Sequence, residues 1–451
     1  MVEDAQDRLL GQYQRDQFLA FGFVPELPDD EDALSLLSEW SRPLRRGRRS
    51  VSESTLVREG VRALKAAVEQ SALATHGRGD QVVFLSGGLD SRAILGGLLD
   101  TYGPGEVLAA SFGSAGEQDL DFATQVARAA GVRHEVLESF SVDWTTQGLV
   151  DSVLARQVPL PNPFGQRYLS YRLHQRIGTD HDFWDGLCGD QTGGVIAREG
   201  DDTATWAQAR SFFHDLHVLP DWDRYTSPGF QPASALPAAP FCDSAVLTHS
   251  DQLMFAVRQT RLTSTRRLRG YAIHTPFLER PWLDFMLSVP IHHRRDRRLY
   301  SAVLRSAYPR LFRLPTTTFD GVGVPPSWLR EAVVLQRRAV RKAERMGWLS
   351  RSGGAPDSGA NNAIRSGHLH RADIRELIVQ NIDDLAGRGL VPGLDADAVA
   401  AAMAGRRISD TRIGVLLALE LNLKAIAQLA ADPGRAATPG GPGRDHPSLS
   451  G

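Results

Sequence analysis

Residues 82–100, VVFLSGGLDSRAILGGLLD, change hydrophobic period once, at a pair of glycines. Val82, Val83, Phe84 and Leu85 read as a short buried strand, whereas Ala93, Ile94, Leu98 and Leu99 recur at helical spacing. The alternation continues downstream. Strands are expected at 81–85, 107–112, 133–137 and 182–187, and helices at 92–102, 118–130 and 143–156. Near-continuous apolar strands separated by helices predict an α/β fold, a parallel sheet with helices on both faces. Right-handed crossovers follow, and ligands of such sheets sit at the carboxyl ends of the strands. SGGLDS occupies one of those ends.

Around this core the chain divides by composition. Residues 1–50 read as a partly ordered lead-in ending in the basic run SRPLRRGRRS, a solvated linker. Ser52 or Ser54 is placed to cap a helix running to about His76, with Leu56, Val57, Val61, Leu64 and Val68 on one face. The core is expected over 51–200. A mostly helical region is expected over 201–432, beginning with an irregular Pro-, Ala- and Asp-rich stretch to about 240. The Gly/Pro/Ser-rich tail at 433–451 reads as disordered.

Composition excludes several partner classes. The 451 residues carry a net charge of −2, so no global basic excess points to nucleic acid. The first residues are acidic and polar, unlike a signal peptide, and no apolar stretch is expected to reach the length of a membrane span. Cys188 and Cys242 are the only cysteines, too few for a disulfide framework or a cysteine zinc cluster. A cytoplasmic protein is expected. Lysine occurs at Lys65, Lys342 and Lys424 alone, so a step that needs a lysine has few candidates.

The turn itself, Ser86, Gly87, Gly88, Leu89, Asp90 and Ser91, presents successive backbone N–H groups and a helix N-terminus, both of which favour an anion. Gly87 and Gly88 let the backbone approach a ligand closely and permit positive φ. Asp90 would repel a phosphate unless a divalent cation lay between them, which implies Mg²⁺ and at least one further acid. The turn lacks the Gly-Lys-Ser/Thr ending of a Walker loop and the G-x-G-x-x-G of dinucleotide folds.

The hexapeptide matches the PP-loop of the N-type ATP pyrophosphatases, enzymes with an adenine nucleotide alpha hydrolase-like fold that cut ATP between its α- and β-phosphates. Within them, SFGSAGEQDLDFATQVARAAGVRHEV (111–136), DFWDGLCGDQTGG (182–194) and IHTPFLERPWLDFMLSVP (273–290) resemble segments of the asparagine synthetase domain. The resemblance covers roughly residues 50–330. It implies that the loop grips pyrophosphate and that Asp90 and Asp190 are the magnesium ligands. Phe84, Ser111, Phe112 and Gly186 would line the adenine pocket. Asp119 matches the family acid, or equally is a carboxylate at a helix N-terminus.

The sequence departs from the family on the acceptor side. Residue 2 is Val and only 85 residues precede the loop, so an N-terminal glutaminase with its cysteine nucleophile is not expected. The family's Glu near the incoming amine corresponds to Leu187. Asp185, two residues earlier on the expected strand, would share its face and serve as general base or as a buried or capping acid. The stretch matching the family's lysine loop is RLPTTTFDGVGVP (313–325), without lysine, which leaves Arg298, Arg305 or Arg313 to supply charge. The family arginine before PFLD aligns with His274, where a structural role is the plainer reading.

What the resemblance implies is ATP-dependent amide formation through an acyl-adenylate, with release of AMP and pyrophosphate. The carboxylate would belong to a specialised metabolite or peptide, as for β-lactam synthetases or lasso-peptide cyclases. The amine would be free, on the substrate, or supplied by a separate ammonia-supplying or pathway protein. Two rivals stand beside it: a degenerate nucleotide-binding partner subunit, and a sulfur-transfer or tRNA-modifying enzyme.

Overall fold

In the computed structural model, which describes residues 11–25, 52–75, 77, 79–156, 163–259, 267–326, 329, 371–404 and 408–432, five strands form one all-parallel sheet. They are β1 (Gln81–Phe84), β2 (Val107–Gly113), β3 (Arg133–Glu138), β4 (Asp182–Trp184) and β5 (Ala272–His274), in the order β3–β2–β1–β4–β5. Phe84 pairs with Ala110 and Val83 with Trp184, so β1 is central. The chain steps from β1 to β2 and β3 on one side, then crosses back to β4 and β5 on the other. A crevice therefore opens at the carboxyl end of β1, where the connections part.

Side-chain alternation along the strands sets the two apolar layers. Val83 and Leu85 face the helices Glu53–Ala72, Asp90–Thr101, Gln118–Ala130, Arg280–Ser288 and Arg298–Ala307. Val82, with Phe84 packed against the same cluster, faces Thr146–Leu154 and Gln166–Ile177, backed by Ala372–Gly387 and Asp410–Ala431. Ser52 caps the Glu53–Ala72 helix by accepting from the Thr55 N–H. Residues 12–21 of the lead-in form a helix whose Phe18, Leu19, Ala20 and Phe21 are buried. The basic run at 41–50 and the tail at 433–451 lie outside the described residues.

Several elements differ from expectation. The strand expected over 182–187 ends at Trp184, because the chain turns through Gly186 and a left-handed Cys188 (φ 69°). Within the stretch read as helical, residues 272–274 add a fifth strand too short to show a period. The irregular 201–240 stretch contains a helix, Trp206–His217, closed by a Thr205/Gln208 capping box. Against the expectation that no stretch reaches span length, Asp410–Ala431 is a 22-residue helix long and apolar enough to cross a membrane. However, 72% of its apolar window is buried inside the protein, where it forms core.

Candidate active site

The Gly-rich turn leaves β1 and feeds the Asp90–Thr101 helix, as its period change requires. Three of its backbone donors have internal partners. The Ser86 N–H donates to Ser91 Oγ (3.0 Å), the Gly88 N–H to Ser86 Oγ (3.2 Å) and the Gly87 N–H to Asp119 Oδ1 (3.0 Å). Gly87 and Gly88 stay outside the positive-φ region, so the latitude for that conformation goes unused. Gly87 is needed for close approach: a Cβ there would lie 2.9 Å from Thr317 Cγ2 and 3.0 Å from Asp119 Oδ1. Asp119 is a first-turn carboxylate of the Gln118–Ala130 helix, as one of its two readings had it, and it also accepts from the loop at the Gly87 N–H.

Asp90 and Asp190 come together although 100 residues separate them. The Asp190 N–H donates to Asp90 Oδ2 at 3.0 Å, from the short helical turn Gly189–Thr192 that follows β4. Close packing allows this. A Cβ on Gly186 would lie 2.8 Å from Asp90 Cβ, and one on Gly189 would lie 2.6 Å from Asp90 Cγ. Tyr300 donates its hydroxyl to Asp90 Oδ1 at 2.5 Å. Arg297 meets Asp190 side-on, with Nε 2.8 Å from Oδ1 and Nη2 donating to Oδ2 at 3.0 Å.

The electrostatics follow from crowding two acids. Burial, then the Asp190 carboxylate, push Asp90 well above the usual carboxylate range, against the opposing pull of Tyr300 and Arg297. Asp90 keeps a partly exposed edge, so the desolvation comes from the protein packed around it rather than from complete enclosure. Burial alone would lower the Arg297 guanidinium, but Asp190 and, behind it, Asp90 outweigh that and hold it above its ordinary value.

The donor set suits a divalent cation shared with phosphate. Asp90 retains a solvent edge and the Asp190 side chain is 33% exposed. Among the described residues no three His, Cys, Asp or Glu converge as a self-sufficient metal site. A cation held here would complete its shell with phosphate oxygens and water, as magnesium ordinarily does.

The expected adenine-pocket residues gather at the carboxyl ends of adjacent strands, but not on one face. Phe84 and Phe112 pack on the layer containing Gln166–Ile177, with Phe84 4.5 Å from the His174 ring. The Ser111 hydroxyl is committed inside the sheet, donating to Leu85 O (2.7 Å) beside His134 Nε2 (2.8 Å). Gly186 lies against Asp90.

On the acceptor side, Asp185 stands one residue past the end of β4, its N–H donating to His274 O. The same-face argument that paired it with Leu187 therefore fails, since strand alternation stops at Trp184. Asp185 lines a narrow crevice with Phe84, Arg156, Arg167, His174 and Phe183. His274 Nε2 meets the buried Asp182 Oδ1 at 2.8 Å, a core pairing that favours its structural reading.

The 313–325 stretch does reach the loop. The Thr317 N–H donates to Gly87 O at 3.0 Å, which sets this lysine-free stretch against the loop. Of the arginines expected there, Arg298 pairs with Glu53 (2.8 Å), Arg313 is solvent-exposed and Arg305 donates to Val324 O. Arg297, one residue before Arg298, is the arginine at the acids.

Residues 62–147 match the asparagine synthase family. The matching segment carries β1, the turn with Asp90, β2, Asp119 and β3, and stops before Asp190. No curated protein matches the chain.

Three residues of the site escape sequence reasoning: Arg297, Tyr300 and Arg92. Arg92 is fully buried and donates from Nη1 to Leu311 O (3.0 Å) and Leu314 O (3.1 Å), and from Nη2 to Pro315 O (2.8 Å) and Gly87 O (3.4 Å). It staples the 311–315 segment to the loop. A charged residue inside an otherwise apolar helical run was the available signal for it.

Proposed function

We propose that the chain is an ATP-dependent carbon–nitrogen ligase that activates a carboxylate as its acyl-adenylate. The observation that carries this reading is the meeting of Asp90 and Asp190 at the PP-loop, with the family match over 62–147 supporting an ATP-using, amide-forming chemistry. A substrate carboxylate oxygen attacks the α-phosphorus as the α–β anhydride bond breaks and pyrophosphate leaves. An amine nitrogen then adds to the acyl carbon. The carbon–oxygen bond to AMP breaks, and the nitrogen loses its proton to a base. Mg²⁺, held by Asp90 and Asp190, would offset phosphate charge. The Ser86–Ser91 turn would hold the leaving pyrophosphate through its N–H and hydroxyl groups. Asp185 is the candidate base on the acceptor side, and the carboxylate would belong to a specialised metabolite or peptide. The amine would come from the substrate, from free ammonia or from a separate ammonia-supplying protein.

One observation favours a second reading, a nucleotide-binding partner without catalysis: the 313–325 stretch that packs on the loop carries no lysine to steady developing charge. Pyrophosphate release with a panel of carboxylates separates the two. Asp90→Asn and Asp190→Asn should each abolish release in folded protein; a fully active double variant would refute the metal assignment. ATP·Mg²⁺ binding with no release for any carboxylate would favour the partner reading, and AMP formed only with added tRNA would favour a tRNA-modifying enzyme.

A further inference from the structure

Arg297 lies in a segment built to place it. Asp296 and Arg297 both adopt left-handed backbone (φ 56° and 59°), a region that non-glycine residues rarely occupy and that tends to be retained where it positions a functional group. Both ends of the segment are fixed. On one side, the buried Arg294 holds Asp251 through two parallel contacts of 2.8 Å, and its backbone packs against Gly194 so closely that a Cβ there would lie 2.4 Å from Arg294 O. On the other, the Arg298–Ala307 helix begins at once and brings Tyr300 onto Asp90. The Arg297 side chain is 19% exposed, at the rim of the two acids rather than beneath them.

We infer that Arg297 is an internal stand-in cation: it neutralises Asp190 when nucleotide is absent and passes to the triphosphate when a divalent cation takes the acid. The inference rests on the assignment of Asp90 and Asp190 made above. Its chemistry is an exchange of partners. Asp190 trades a guanidinium for a metal, and the guanidinium trades a carboxylate for phosphate oxygens, which it matches equally well in planar geometry. The positive charge that the 313–325 loop does not supply then arrives from the Arg298–Ala307 helix start.

The test reads Mn²⁺ binding without nucleotide, by electron paramagnetic resonance, in the full chain and in Arg297→Met. Removing the competing cation should tighten Mn²⁺ binding by about tenfold, and metal-free ATP binding should weaken. A gain in metal affinity is not what structural damage produces. Asp190→Asn provides a second arm: the freed guanidinium should strengthen metal-free binding of inorganic pyrophosphate, and this arm stands even if the Arg297 variant does not fold. Unchanged Mn²⁺ affinity in folded Arg297→Met, no Mn²⁺ binding in either protein, or unchanged pyrophosphate binding in Asp190→Asn overturns the inference. Neither arm contains a carboxylate substrate. A tightened Mn²⁺ site with no pyrophosphate release would refute the ligase reading alone, and pyrophosphate release with unmoved Mn²⁺ affinity would refute the stand-in alone.

Discussion

Replacing Arg92 by Met should destabilise the protein by about 3–4 kcal/mol, through carbonyl groups rather than through lost packing. Met retains most of the apolar stem but none of the donors. Three carbonyls, Leu311 O, Leu314 O and Pro315 O, accept from Arg92 at 2.8–3.1 Å. Hydrogen bonds to a charged donor are worth roughly 1.5–3 kcal/mol each, giving a gross loss of at least ~5 kcal/mol. The variant regains part of this, because it no longer buries a guanidinium whose pKa desolvation has already lowered to about 10, with Asp119 pulling the other way. Urea unfolding of the two proteins measures the difference. Hydrogen exchange at the Thr317 N–H, which donates to Gly87 O, should accelerate as the 311–317 segment loosens. A loss below about 1 kcal/mol, with Thr317 protection intact, would show that the carbonyls find other partners and that Arg92 is not the staple.

Other perturbations probe the packing and the charge balance. Gly189→Ala would put a Cβ 2.6 Å from Asp90 Cγ and 2.7 Å from Tyr300 Oη, and should cost about 1–3 kcal/mol by thermal melting. Gly387→Ala, with nothing within 4 Å, should be neutral or stabilise by up to ~1 kcal/mol. Equal effects would refute the close-packing argument. His217, packed against Phe213 with Arg258 nearby, is lowered to about 3 by burial first and Arg258 second. Its neutral form belongs to the fold while the unfolded chain protonates near 6.5, so stability falls as pH drops below 6.5 and continues falling towards 3. Between pH 7 and pH 5 the fall should be about 2 kcal/mol, and His217→Gln should remove that share. Identical pH slopes in the two proteins would refute the burial argument.

The strand–turn–helix unit and the helices around it are legible because their periods persist for several residues. Strand β5 and the end of β4 are not, since no periodicity shows in runs of three residues. That is why the expected strand ran on past Trp184 and carried a false same-face argument to Asp185. The charge of Asp90 beside an anion-binding turn calls for a second acid, but only the resemblance of 182–194 to the asparagine synthetase segment points to Asp190. The choice among arginines was not readable. Helical spacing gave no reason to prefer Arg297 to Arg298, and the left-handed backbone at Asp296 and Arg297 turns the first towards Asp190 while the second meets Glu53. Tyr300 and Arg92 depend in the same way on partners brought in by tertiary folding, Tyr300 on Asp90 and Arg92 on carbonyls more than 200 positions away.

The span of these contacts sets a timetable for synthesis. Asp90 finds Tyr300 and Arg92 finds Leu311, Leu314 and Pro315 only after the chain has grown far beyond the turn. At a ribosomal rate of roughly 5–20 residues per second, that delay is on the order of ten seconds or longer. Throughout it the nascent protein displays a bare guanidinium in an apolar helix and an acid without its tyrosine. The Ser86–Ser91 turn is therefore among the last regions of the α/β core to mature, and a chain stalled before residue 297 carries the loop without the clasp.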